Sequence, residues 1–96
     1  MTKEYILDLL KENKEYIQEK YTVNKIGLFG SYATDKANTQ SDIDIFVQLN
    51  KHTFDNVAGL WNYLEKLYNK KIDLFRENKR SNGAIYEHIK KETIFI

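Results

Sequence analysis

An α/β fold (equally describable as α+β), with helices packed against a small sheet, is predicted by two observations. Segments with helical apolar spacing alternate with short β-rich apolar runs, in the order helix, strand, short helix, strand, helix, strand, helix. The composition, 42% hydrophobic and 14% aromatic over 96 residues, supplies apolar material for one core but not a thick one. Residues 1–96 are therefore expected to form a single domain.

The elements follow in order. Thr2 is a suitable N-cap, and Tyr5, Ile6, Leu9, Leu10, Tyr16 and Ile17 recur at helical spacing, which predicts an amphipathic helix over Lys3–Glu19 with a solvated Lys/Glu face. Lys25–Phe29 reads as a short buried strand ending at Gly30, after which Ser31 is placed to cap a short helix running to about Lys36. Residues 37–40 read as a loop. Asp42–Gln48 is the second strand, with Ile43, Ile45 and Val47 on one face and Asp42, Asp44 and Phe46 on the other. Thr53 caps a helix whose stripe comprises Val57, Leu60, Trp61, Leu64, Leu67 and Tyr68. That stripe, Trp61 included, is read as packing on the sheet rather than lining a ligand pocket. Ile72–Phe75 is a third short strand and Ala84–Lys91 a last helix. The state of the apolar tail Thr93–Ile96 is left open.

Charge and composition narrow the function classes. Fifteen basic residues against 14 acidic ones leave a formal net charge of +1, without the basic surplus or stripe of a protein that grips long nucleic acid. The absence of cysteine excludes a disulfide framework and a thiolate metal site. The first twenty residues are charged throughout, without an apolar signal core, and no stretch approaches a membrane span, so a cytoplasmic protein without membrane contact is expected. His52 and His88 have no metal-site spacing, to each other or to the carboxylates. Arg76 and Arg80, which follow the third strand, read as solvent-exposed.

The chemistry is concentrated in GSYATDKANTQSDIDIFV, residues 30–47. Two aspartates, Asp42 and Asp44, stand two residues apart in an apolar strand, so they leave the same face about 6.5–7 Å apart at ~3.3 Å per residue. Two negative charges at that distance repel by about 2.5 kcal/mol at an effective dielectric near 20. A divalent cation reverses the sign of that interaction, and hard oxygen ligands suit Mg²⁺ or Mn²⁺. Asp73 is a third carboxylate, centred in the next apolar tetrad, and it faces the same side if the two strands are neighbours. Three carboxylates around two metals, about 3.5–4 Å apart, suit in-line displacement at phosphorus. Taken singly, Asp42 could instead cap a turn and Asp73 could begin an edge strand. At the other end of the stretch, Gly30-Ser31 directly follows a strand and opens a helix, where glycine permits close backbone approach and free N–H groups meet phosphate oxygens. Neither GxxxxGK[ST] nor GxGxxG is present.

LFGSYATDKANTQSDIDIFV resembles the signature of the DNA polymerase β-like nucleotidyltransferase superfamily: Gly-Ser, a spacer, Asp-x-Asp, and a third Asp on a later strand. It is most similar to the minimal nucleotidyltransferase group, whose motif reads GSxARGxxxxxSDxD. Gly30, Ser31, Ala33, Ser41, Asp42 and Asp44 fall at matching positions and Asp73 matches the third carboxylate, whereas Thr34-Asp35 replaces Arg-Gly. An arginine there would clamp phosphate, and an acidic residue should weaken nucleotide affinity. Lys36 could substitute in part, as a point charge.

The resemblance implies a polymerase β-like core, a small mixed sheet of three to four strands with helices packed against it, with Asp42, Asp44 and Asp73 catalytic. All three would bind metal, two Mg²⁺ ions or Mn²⁺ in their place. It implies further that Gly30, Ser31, Ser41 and Lys36 contact the nucleotide, with ATP as substrate. Minimal nucleotidyltransferases serve as antitoxins to HEPN-domain ribonuclease toxins, onto a tyrosine of which they transfer AMP. The implied function is therefore adenylylation of a HEPN-type partner, with the chain forming a hetero-oligomer with that toxin or a homo-oligomer. Two alternatives are an antitoxin with a degraded nucleotide site that neutralises by binding alone, and a nucleotidyltransferase acting on an RNA end or small molecule.

Overall fold

The computed structural model describes residues 1–77 and 82–96. The elements are α1 (Lys3–Tyr21), β1 (Val23–Phe29), α2 (Gly30–Ala33), β2 (Ile43–Leu49), α3 (Phe54–Tyr68), β3 (Ile72–Glu77), α4 (Ala84–Glu92) and β4 (Ile94–Phe95). Both long helices start where their caps predict. Thr2 Oγ1 accepts from the Tyr5 N–H at 3.1 Å, and Thr53 Oγ1 accepts from the Asn56 N–H at 3.1 Å. Thr22 and Asn69 close α1 and α3 in the left-handed conformation.

The four strands form one mixed sheet in the order β3-β2-β1-β4, with β1 antiparallel to β2 and β4 and β2 parallel to β3. The parallel pair is joined across α3, as a parallel connection requires. Alternation along the strands creates two faces. Leu28 lies opposite Ile45 and Ile26 opposite Val47, and these residues join Ile6, Leu10, Ile17, Leu60 and Leu64 in the core beneath α1 and α3. Two polar rings anchor α3 within this layer: the Tyr68 hydroxyl donates to the Ile6 carbonyl at 2.7 Å and Trp61 Nε1 to the Ile72 carbonyl at 2.8 Å.

The other face is only partly open. Phe46 shares it with Asp44, as the alternation predicts, but Phe46 is fully buried. It stacks on Phe75 and Tyr86 and meets Phe95 edge-on, so α4 and the Phe95 ring cover this part of the sheet. The short tail is a strand: Phe95 pairs with Gly27 and Ile94 with Leu28. A Cβ on Gly27 would stand 2.6 Å from Thr93 Cγ2 and 2.7 Å from the Ile94 carbonyl oxygen, so glycine is what lets the tail close against β1.

Three sequence expectations are corrected. The short helix ends at Ala33, not Lys36, because Asp35 adopts a left-handed φ of 60°. Its N-cap position is Phe29, without a side-chain cap, so the Ser31 hydroxyl is not the cap. The second strand begins at Ile43, leaving Asp42 just ahead of it. Arg80 lies outside the described residues. Among the described residues, no helix is long and apolar enough to cross a membrane.

Candidate active site

The expected residues meet at the edge of the sheet where β1 ends and β2 and β3 begin. Phe29, the last residue of β1, is in register with Asp44 of β2, and Asp44 is in register with Asp73 of β3. Because β2 and β3 are parallel neighbours, the two aspartates have equal strand parity and stand side by side. Asp42 lies just ahead of them, 3.9 Å from Lys71 Nζ across a largely exposed contact. Such an exposed ion pair is weak and leaves Asp42 free to turn.

Gly30 is fixed by this arrangement. Its φ is +75°, and a Cβ there would stand 2.0 Å from Asp44 Oδ2. Left-handed backbone and the neighbouring carboxylate thus both require glycine. The Gly30 N–H donates to Glu92 Oε1 at 2.7 Å, from the last turn of α4. Glu92 was not among the sequence candidates. It lies 62 residues from Gly30, and only the pairing of β4 with β1 brings it there, so no motif spacing could have signalled it.

Four carboxylates consequently share a small volume. Burial, followed by the charges of Asp73 and Asp42, a hydrogen bond with Asp73 and then the charge of Glu92, pushes the Asp44 carboxyl up to about 6. This is the behaviour of crowded carboxylates lacking a counter-charge. Among the described residues no three His, Cys, Asp or Glu side chains already form a cation-holding group. The donor set is nonetheless all hard oxygen, and its mutual repulsion would be relieved by a divalent cation, so the residues fit Mg²⁺.

The remaining candidates divide. Ser31 is half-buried beside Gly30, its hydroxyl not spent on a helix cap. Ser41 Oγ accepts from the Asn38 N–H at 3.0 Å and thereby shapes the 38–41 turn. Lys36 is exposed beyond α2. Asp35 occupies the position where the minimal group has glycine, adopts the backbone conformation glycine favours, and pairs with Lys3 Nζ at 3.1 Å. Its charge is therefore matched by α1.

A separate apolar pocket of about 340 Å³ is lined by His52, Thr53, Phe54, Val57, Trp61 and Arg76, among others. Trp61 thus borders a cavity as well as packing on the sheet. Arg76 alternates with Asp73 and Phe75 along β3, so it belongs to the face opposite the carboxylates.

Residues 11–96 match the family described as Polymerase beta, Nucleotidyltransferase. The chain belongs to that family. A candidate protein adenylyltransferase of Methanocaldococcus jannaschii is 33% identical over 94 residues, covering 95% of this chain and 94% of the relative. The protein adenylyltransferase MntA of Thermococcus cleftensis is 30% identical over 97 residues, covering 100% and 97%. Among solved structures, a candidate minimal nucleotidyltransferase superposes with a TM-score of 0.75 at 24% identity over 98% of this chain and 95% of that one, a likeness of fold. A toxin-antitoxin crystal structure with AMP-PNP gives a TM-score of 0.63 at 26% identity, over 99% and 72%. The chain is a nucleotidyltransferase with the polymerase β-like fold.

Proposed function

We propose that this nucleotidyltransferase is a Mg²⁺-dependent protein adenylyltransferase, transferring AMP from ATP to a hydroxyl of a partner protein. The observation that carries the reading is the register of Phe29, Asp44 and Asp73, which joins the end of the Gly-Ser strand to two carboxylates on neighbouring strands. The relatives named for adenylyl transfer to protein support protein as acceptor, and their length is nearly all covered by this chain. The toxin-antitoxin structure with AMP-PNP supports ATP as substrate and a toxin as partner. Following the family resemblance, the partner is a HEPN-type ribonuclease in the cytoplasm and the acceptor a tyrosine.

Gly30 and Ser31 would hold the β- and γ-phosphates through backbone N–H and hydroxyl donors. Asp42, Asp44 and Asp73 would hold Mg²⁺, which supplies charge neutralisation on the triphosphate. The acceptor oxygen attacks the α-phosphorus, the bond from that phosphorus to the bridging oxygen breaks, and pyrophosphate leaves. Asp73, the exposed member of the pair, has the access needed to take the hydroxyl proton. Alignment and charge stabilisation then account for the rate, without a covalent enzyme intermediate. The Lys3–Asp35 pair favours this reading over neutralisation by binding alone. It gives Asp35 a counter-charge on α1, so that this negative charge is partly neutralised and not left wholly to repel the triphosphate.

The test is the intact mass of the protein encoded beside this one after incubation with the chain, ATP and Mg²⁺. A gain of one AMP unit is expected, lost when Asp42→Asn and Asp44→Asn are combined. An unmodified partner that the double variant still neutralises would replace enzymatic transfer with occlusion. Transfer to RNA or a small molecule, with the partner untouched, would replace the acceptor.

A further inference from the structure

Glu92 is the one carboxylate of the site that the family motif does not contain. Its Oε1 accepts the Gly30 N–H at 2.7 Å, and its Oε2 lies 3.5 Å from His88 Nε2, one turn back on α4. Its side chain is 22% exposed, so the contact is largely shielded from water. A carboxylate on a backbone N–H presents the same ligand as a phosphate oxygen: an anionic acceptor at hydrogen-bond distance.

We propose that Glu92 is an internal stand-in for the triphosphate: in the nucleotide-free protein it occupies the Gly30 N–H, and nucleotide binds by displacing it. This rests on the reading of Gly30-Ser31 as the phosphate-holding turn. Two observations sharpen it. The backbone around Glu92 is fixed, because Thr93 N–H donates to Ile89 O at 3.0 Å, Ile94 pairs with Leu28, and Ile96 N–H donates to Ile26 O at 3.1 Å. Release therefore needs only rotation of the Glu92 side chain, with α4 and β4 in place. Glu92 also adds its negative charge to a group of carboxylates that already repel one another, and that charge is felt at Asp44. Nucleotide thus meets a turn kept ordered by an anion already present. Glu92 lowers affinity while holding the turn in shape.

Calorimetric titration of AMP-PNP with Mg²⁺ into wild type, Glu92→Ala and Glu92→Gln tests this. Removing a charged competitor for a hydrogen-bond donor should tighten binding by about tenfold in Glu92→Ala, with a smaller gain of about threefold in Glu92→Gln, whose amide oxygen still accepts but is neutral. Glu92→Gln keeps the size of the side chain and decides alone if Glu92→Ala does not fold. Wild type that binds, beside variants whose affinity is unchanged or weaker, overturns the stand-in and leaves the nucleotide site intact; weaker binding would make Glu92 a ligand of the loaded site. Variants that bind where wild type does not support it most strongly. Absence of binding by all three overturns both this inference and the nucleotide reading.

Discussion

Asp44 carries the largest electrostatic cost in the site. Its carboxyl is pushed up to about 6 by burial first and then by Asp73 and Asp42. The sign of its effect on stability follows. A carboxyl with a folded-state value above its unfolded one binds its proton more tightly in the folded chain. Its stabilising contribution is complete below about 4 and is lost as pH rises towards 6. Asp44→Asn should therefore match wild type near pH 4 and exceed it at pH 7.5. After discounting for solvent screening, the gain is about 1 kcal/mol. Thermal melts across this range should show a rise of roughly 4–8 °C at the upper end for a domain of this size. A gap that does not grow with pH would contradict the crowding of the carboxylates. The sequence already contained the Asp42-x-Asp44 pair, though Asp42 lies just ahead of the strand and not on it, and the third aspartate on another strand. It did not contain Glu92, whose contact is closed by tertiary pairing, nor the match between Asp35 and Lys3, 32 residues apart.

Among the elements, α1 and α3 were legible because each has a long apolar stripe and a threonine cap, and both caps are made as expected. The short pieces were not. α2 is a single turn that ends where Asp35 turns left-handed, and β4 is two residues long, too brief for any periodicity to register. The cover that α4 gives to Phe46 was equally hidden, since the strand pattern fixes which face Phe46 occupies but not what lies above it. That cover has a polar anchor. The Tyr86 hydroxyl donates a short hydrogen bond to Glu77 Oε1, and with burial this pushes the phenol up to about 12. Glu77 Oε2 is buried without a partner among the described residues. Tyr86→Phe should therefore destabilise the protein by about 1–3 kcal/mol, since it leaves the carboxylate without its donor. Urea unfolding measures this. Combining Tyr86→Phe with Glu77→Leu should recover much of the loss, whereas a double variant no more stable than Tyr86→Phe would contradict the account of the anchor.

The whole molecule is a four-stranded sheet with two unlike faces. One is packed by α1 and α3. The other is covered by α4 over its aromatic half and opens towards Asp44 and Asp73 where the strands begin. The α/β alternation fixed the class of fold in advance, but strand order and the direction of each pairing came only from the structure, because periodicity does not record which strands are neighbours. The same asymmetry separates the carboxylate site from the apolar pocket around Trp61. The central claim is that nucleotide binds at the carboxylate site. Amide resonances followed while AMP-PNP and Mg²⁺ are added to the isotope-labelled chain locate the nucleotide directly. The account predicts that the largest shifts fall on Gly30, Ser31, Asp44 and Asp73, with Val57, Trp61 and Arg76 little changed. Shifts concentrated on Val57, Trp61 and Arg76, with Gly30 and Asp44 unmoved, would contradict it.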